Sequence, residues 1–169
     1  TALPSAQLTG ALPAISGASL TGIVNNAGTA AFAVRHSGAS WIGSLASAGT
    51  ILTFDNDSTG DSFDTDSCYN TSTNKFTAPA TGVYMFWLSI YTADTDASNG
   101  FTFMKNSTKL DLQASGADWL SYTEVESGDH NQSASVVVPL ASGDTIAACS
   151  AATGSYYTGH SQWGGCRLA

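Results

Sequence analysis

The chain has 169 residues, 5 of them basic and 13 acidic, for a net charge of −8; that length suits one domain with a real core, or one domain plus an appendage. Arg35, Lys75, Lys105, Lys109 and Arg167 are scattered, which argues against nucleic acid as a partner, since phosphate contacts need clustered cations. No apolar run approaches the ~20 residues that span a bilayer, so no membrane insertion is expected, and no secretory signal pattern opens the chain.

Residues 1–28 differ in kind from the remainder of the chain. Leu3-Pro4 recurs as Leu12-Pro13, and Leu8-Thr9-Gly10 recurs as Leu20-Thr21-Gly22. Pro4 and Pro13 forbid a continuous helix, and the glycine spacing is not the every-third pattern of collagen. An extended, uncharged segment with a Leu or Ile every few residues cannot bury those side chains alone. Winding with other copies would bury them. The expectation is a multi-chain stalk or neck over 1–28, with a disordered linker as the alternative, and a head over 29–169.

From Ala30 onward short apolar runs are separated by turn residues, the pattern of an all-β sandwich or barrel. Strands are predicted near 30–35, 41–45, 50–54, 61–68, 82–92, 100–106, 108–113, 118–126, 133–140, 144–151 and 161–168, with helical periodicity nowhere. Asn106-Ser107 and Ser142-Gly143-Asp144 are turn signals that predict hairpins between their flanking strands. Within the 55–66 stretch, Asp55, Asp57, Asp61 and Asp66 offer oxygen ligands in the order of a calcium loop, with Gly60 at its sixth position. The expected flanking helices are absent and the last ligand is Asp, so a solvated acidic turn is the simpler reading. Calcium is the one cofactor the sequence raises.

The longest apolar run, Lys75 to Tyr91, reads as the central strand. Its two parities are both apolar: Val83, Met85, Trp87 and Tyr91 on one side, Tyr84, Phe86, Leu88 and Ile90 on the other. One sandwich face needs only one of them. A second cover is therefore required, either the chain's own loops or another copy of the chain, and the second is favoured.

Cys68, Cys149 and Cys166 form neither a disulfide framework nor a metal motif. Buried free thiols are expected, a Cys149–Cys166 bridge being the alternative. His36, His130 and His160 lie far apart without ligand spacing, Gly154-Ser155 makes no nucleophile elbow, and Glu124 and Glu126 read as a solvated pair. No enzyme is expected.

Asp64, Tyr69, Phe76, Gly82, Tyr84 and Phe86 fall on a known spacing: an acidic or amide residue, an aromatic after four residues, Phe after six, then Gly-x-Tyr-x-Phe after five. With Ala31-Phe32-Ala33, Lys105-Asn106, Gly143-Asp144-Thr145-Ile146 and Trp163-Gly164-Gly165, the region from Ala30 to Leu168 resembles the globular head of complement C1q, a branch of the tumour-necrosis-factor-like jelly rolls. Three positions depart from the pattern: Phe54 lies about four residues early for the opening Phe, Leu88 replaces an aromatic, and Arg167 replaces a hydrophobic residue. The resemblance implies a jelly-roll β-sandwich of about ten antiparallel strands. It also implies a homotrimer with the stalk at its base and binding loops at its tip, where some relatives hold calcium. Tyr84, Phe86, Leu88 and Ile90 would then form core or trimer interface.

Strand alternation from a basal stalk places the 92–99, 127–132 and 152–160 loops at the tip, with part of 36–60. Asp94, Asp96, His130, Tyr156, Tyr157 and His160 are the candidate receptor contacts there; tyrosines give rigid contact area and stack on sugar rings. Residues 1–24 resemble the LPAISGASLTG-type repeats of phage tail-fibre and appendage proteins. That resemblance implies a trimeric virion appendage, joined to other virion proteins through the stalk, whose knob binds a host-surface receptor, either a glycan or an outer-membrane protein. The alternatives are a purely structural decoration or fibre-capping protein, and a secreted C1q-like lectin.

Overall fold

The computed structural model describes residues 30–45, 47–55, 62–94, 100–109, 128–151 and 154–169, with backbone alone at 42–44, 93–94, 109 and 128–130. The predicted stalk, Asp57, Asp61, Asp96, Glu124, Glu126 and the strand expected over 118–126 lie outside the described residues. Within them every element is a strand and every pairing is antiparallel.

The strands are β1 (Ala31–Arg35), β2 (Trp41–Leu45), β3 (Phe63–Asp64), β4 (Tyr69–Asn70), β5 (Lys75–Thr77), β6 (Gly82–Asp94), β7 (Phe101–Lys105), β8 (Thr108–Lys109), β9 (Gly128–Leu140), β10 (Thr145–Ser150) and β11 (Gly154–Arg167). One sheet runs β3-β1-β11-β6-β9 with β2 added on β11, and the other runs β4-β5-β10-β7-β8. Two facing antiparallel sheets of this kind make the jelly-roll sandwich that the sequence predicts.

Period-two alternation explains the larger sheet. Phe32 and Val34 of β1 point inward, as do Tyr84, Phe86, Leu88 and Ile90 of β6 and Ala134 and Val136 of β9. Phe32 sits among rings, stacked on Tyr69 at 5.4 Å and Phe76 at 5.3 Å and meeting Trp163 edge-on at 4.7 Å. The aromatic residues of the family spacing, Tyr69, Phe76, Tyr84 and Phe86, therefore meet in one core. Tyr69 also donates from its hydroxyl to the carbonyl of Phe54 at 3.2 Å, and Tyr84 to that of Ala80 at 2.6 Å. Phe54 is fully buried despite its early position. The smaller sheet is covered on both faces: Phe101 and Phe103 fill the core, while Thr102, Met104, Ala147 and Cys149 are buried on the opposite parity.

Several sequence expectations change. The run from Lys75 to Tyr91 is two strands in different sheets, β5 and β6, joined by a crossing at 78–81. The segment 50–54 forms only an isolated bridge, Ile51 to Cys149, and 61–68 contributes only Phe63–Asp64. The stretches 127–132 and 152–160, expected as loops, are largely the starts of β9 and β11. Their polar residues conceal strands whose partners, not their composition, hold them extended.

Asn106-Ser107 is the expected hairpin turn, with φ of 49° and 68° linking β7 to β8. The Ser142–Asp144 turn differs: it carries the chain from β9 in one sheet to β10 in the other. Asp144 fastens this corner by accepting from Asn106 Nδ2 at 2.8 Å and Lys105 Nζ at 2.9 Å.

The two ends of the described head meet at one pole, the base. Arg167 N–H donates to Ala30 O at 2.9 Å, and Val83 N–H to Ala169 O at 2.9 Å. Arg167 can replace a hydrophobic residue because its guanidinium leaves the core at this pole and donates from Nη2 to Thr81 O at 3.0 Å.

Candidate functional site

The larger sheet turns one face to the core and leaves the other open. That open face carries Val83, Met85, Trp87, Ser89 and Tyr91 from β6, with the residues opposite them on β9 and β11. Near the base it is apolar, with Val83 38%, Met85 36% and Val137 57% exposed. Val137 lies directly across from Met85. Tyr84, Phe86, Leu88 and Ile90 belong to the interior. Their neighbours Val83 and Met85 face outward and are exposed.

Farther up, the face becomes polar. Ser89, Ser133, Ser135 and Gln162 border a shallow depression floored by Trp87.

At the pole opposite Ala30 the ladders bring together 36–41, 91–94, 128–131 and 154–160. These include segments that alternation expects at one end of the head. Asp94 pairs with Gly128 and His130 with Thr92, both at that end. Tyr157 and His160 point outward on β11.

Tyr156 does not belong to the surface. It is fully buried, its hydroxyl accepts Thr53 N–H at 3.0 Å and donates to Thr53 O at 3.1 Å, and desolvation raises its pKa. The reason is alternation: adjacent residues of a strand face opposite sides, so Tyr156 and Tyr157 cannot both reach solvent.

Tyr157 sits in a cross-strand row. Trp41 of β2 pairs with it on one side and Tyr91 of β6 on the other, with Asn131 of β9 next in line. Ring centroids are 5.2 Å apart for Trp41–Tyr157, 6.2 Å for Tyr157–Tyr91 and 6.0 Å for Trp41–Tyr91. A bulge positions the fourth ring. Between Tyr157 and Gln162, β11 advances farther than β6 does from Tyr91 to Ser89, so the extra residues arch outward. Ser161 bridges the gap, its hydroxyl accepting Tyr91 N–H at 3.1 Å and donating to Tyr157 O at 2.6 Å. His160, on the arch, meets Tyr157 at 5.1 Å and Tyr91 at 5.3 Å. Trp41 and Tyr91 had no place among the candidates drawn from sequence. The exposed tryptophan of the 41–45 strand was the available signal, but its partners lie far along the chain.

The proposed calcium ligands are only partly described. Ser37 donates to Asp55 from its backbone N–H at 2.6 Å and also from its hydroxyl, and His36 Nδ1 lies 3.6 Å away. Partial burial of Asp55 acts to raise its pKa, but the Ser37 hydrogen bonds and His36 outweigh it and lower the pKa overall. Asp55 thus anchors the 36–38 turn. Asp66 is exposed. Among the described residues no group of three or more His, Cys, Asp or Glu side chains could hold a metal.

No disulfide joins the three cysteines. Cys149 lies on the smaller sheet and Cys166 on the larger one, and neither belongs to the core between them, so the alternative bridge is not formed. Cys68 is buried and donates to Asp64 at 3.0 Å; desolvation first, then that carboxylate, push its thiol pKa up. Cys68 is therefore held as the unreactive thiol. No helix among the described residues is long and apolar enough to cross a membrane.

No curated protein sequence matches the chain. Among solved structures, murine APRIL at pH 8.5 has 10% identity, with 83% of this chain and 100% of that chain covered at a TM-score of 0.57. The Eiger TNF of S. frugiperda has 16% identity, with 83% and 93% covered at a TM-score of 0.50. At these identities the likeness is one of fold. The C1q domain matches residues 31–163. That match takes in every strand of the sandwich from β1 to the buried Trp163 of β11, and the chain therefore belongs to the C1q domain family.

Proposed function

We propose that this C1q domain is the C-terminal knob of a homotrimeric appendage on a tailed-phage particle and that its tip binds the host-cell surface. The observation that carries the reading is polarity along one face. The exposed apolar residues Val83, Met85 and Val137 lie near the base, where the chain enters from residues 1–28, and exposed aromatic side chains lie at the other end. Three copies packed through the basal residues would hide that apolar surface and present three tips in one direction. The repeats in residues 1–28 support a stalk that joins the knob to other virion proteins.

Tyr157 and His160 are the proposed contacts, with Asp94, Asp96 and His130 around them. The ligand is a glycan or an outer-membrane protein of the host. Asp55 is engaged by Ser37, and no calcium is proposed for the 55–66 stretch.

The test is adsorption by the full chain. Purified protein should sediment as a trimer, bind host cells and block infection by the particle that carries it. Trimers that neither bind nor block, on a particle that loses its fibre when the gene is deleted, would assign the chain a purely structural capping role. Display on a secreted lectin without any particle would refute the virion location.

A further inference from the structure

The polar middle of the open face has a specific role in the assembly, and its reading rests on the trimer proposed above. One rung of side chains crosses the sheet there: Arg35 of β1 pairs with Gln162 of β11, Gln162 with Ser89 of β6, and Ser89 with Ser133 of β9. Part of this rung is satisfied within the subunit. Gln162 Oε1 accepts from Arg35 Nε at 3.3 Å, and the Ser89 hydroxyl donates to Asn131 Oδ1 at 2.9 Å. The Gln162 side-chain NH2 and the exposed Ser133 hydroxyl have no partner among the described residues.

Water can serve both groups in a free subunit. In an assembly the demand changes. Val137, paired with Met85, lies on β9 only about 13 Å from Ser133 toward the base. A copy seated on those apolar residues reaches the polar rung as well, where an amide or hydroxyl buried without a partner costs stability.

Symmetry selects the partner. Identical copies that close a ring meet through unlike parts of their surface. β9 is the edge strand of the sheet on one side and β11 lies toward the other, so β9 of one copy meets β11 of the next. Rotation about an axis running from base to tip leaves every height unchanged. Side chains of one rung therefore meet the same rung of the neighbour, which sets Gln162 against Ser133. Their chemistry matches, an amide N–H donating and a hydroxyl oxygen accepting. The shallow depression that Gln162 and Ser133 border leaves room for a neighbour's side chain.

We infer that in the trimer the Gln162 amide of each copy donates to the Ser133 hydroxyl of the next, closing a ring of hydrogen bonds above the apolar basal contact. Sedimentation of the full chain over a dilution series tests this. Ser133→Ala should raise the trimer dissociation constant at least about tenfold, because each Gln162 amide is left buried and unpaired. Ser133→Lys sets a cation against the neighbour's Gln162 and the Arg35 beside it, and should give a folded monomer. Adding Gln162→Glu to the same chain offers that lysine a carboxylate and should restore the trimer. Unchanged dissociation of Ser133→Ala would overturn the inference, as would a Ser133→Lys chain that trimerises like the parent or a double variant no more associated than Ser133→Lys alone. If Ser133→Lys does not fold, Ser133→Ala decides the outcome by itself. A parent that never forms a trimer sinks the trimer reading, whereas a parent trimer with indifferent variants sinks only the contact between Gln162 and Ser133.

Discussion

Gly165 shows how tightly single positions are set. It faces Phe86 across the β11–β6 ladder, and a Cβ there would lie 2.3 Å from the Phe86 ring. Gly165→Ala should therefore cost about 1–3 kcal/mol through overpacking, read as a lower urea midpoint with an unchanged slope. Asp64 serves another purpose, its two oxygens accepting Cys68 N–H and Tyr69 N–H at 2.9 Å each. Removing it leaves both amides unsatisfied, so Asp64→Ala should destabilise by about 2 kcal/mol or more; an unchanged melting temperature would contradict that role. The family spacing is thus a list of core contacts and caps. It was legible in sequence because each member needs one residue type at one place.

At the scale of elements, the corner between β9 and β10 should respond to acid. Hydrogen bonds from Asn106 first, and from Lys105 next, lower the Asp144 pKa from 3.8 to about 2. A carboxyl depressed on folding stabilises above its ordinary pKa, and that contribution is lost as pH falls through the folded value. The parent should accordingly melt higher than Asp144→Asn at pH 5, with the difference closing towards pH 2. A gap that widens on acidification would refute the assignment.

Which elements could be read from the chain is governed by the same physics. β1 and most of β6 announce themselves as apolar runs bounded by turn residues. The switch from β5 to β6 was hidden because apolar residues continue on both sides of the crossing. The first residues of β9 and of β11 were hidden because they are polar and owe their extension to distant partners. The same limit held at the site: Tyr157 and His160 were visible as aromatic residues near the tip, but Tyr156 needed a known strand parity and Trp41 a known neighbour.

For the whole molecule, the exposed basal residues make assembly testable without disturbing the subunit. Val137 is 57% exposed, so Val137→Glu should leave the subunit folded. In a trimer packed through this face, the introduced carboxylates would be desolvated near one another. Sedimentation should then show a folded monomer, whereas an intact trimer would move the contact elsewhere. Phe86→Asp should act differently, since Phe86 is fully buried and a charge there abolishes folding before association is in question.

The rings lie at one pole and Ala30 at the other, with β1, β6 and β11 running between them. Hydrogen bonds of an antiparallel ladder lie across the strands, so a pull between a gripped tip and a tethered base loads many of them in shear at once. Peeling them open in sequence would require a sideways force. The same layout that points the rings outward would thus let the domain stay whole under a pull between its two poles.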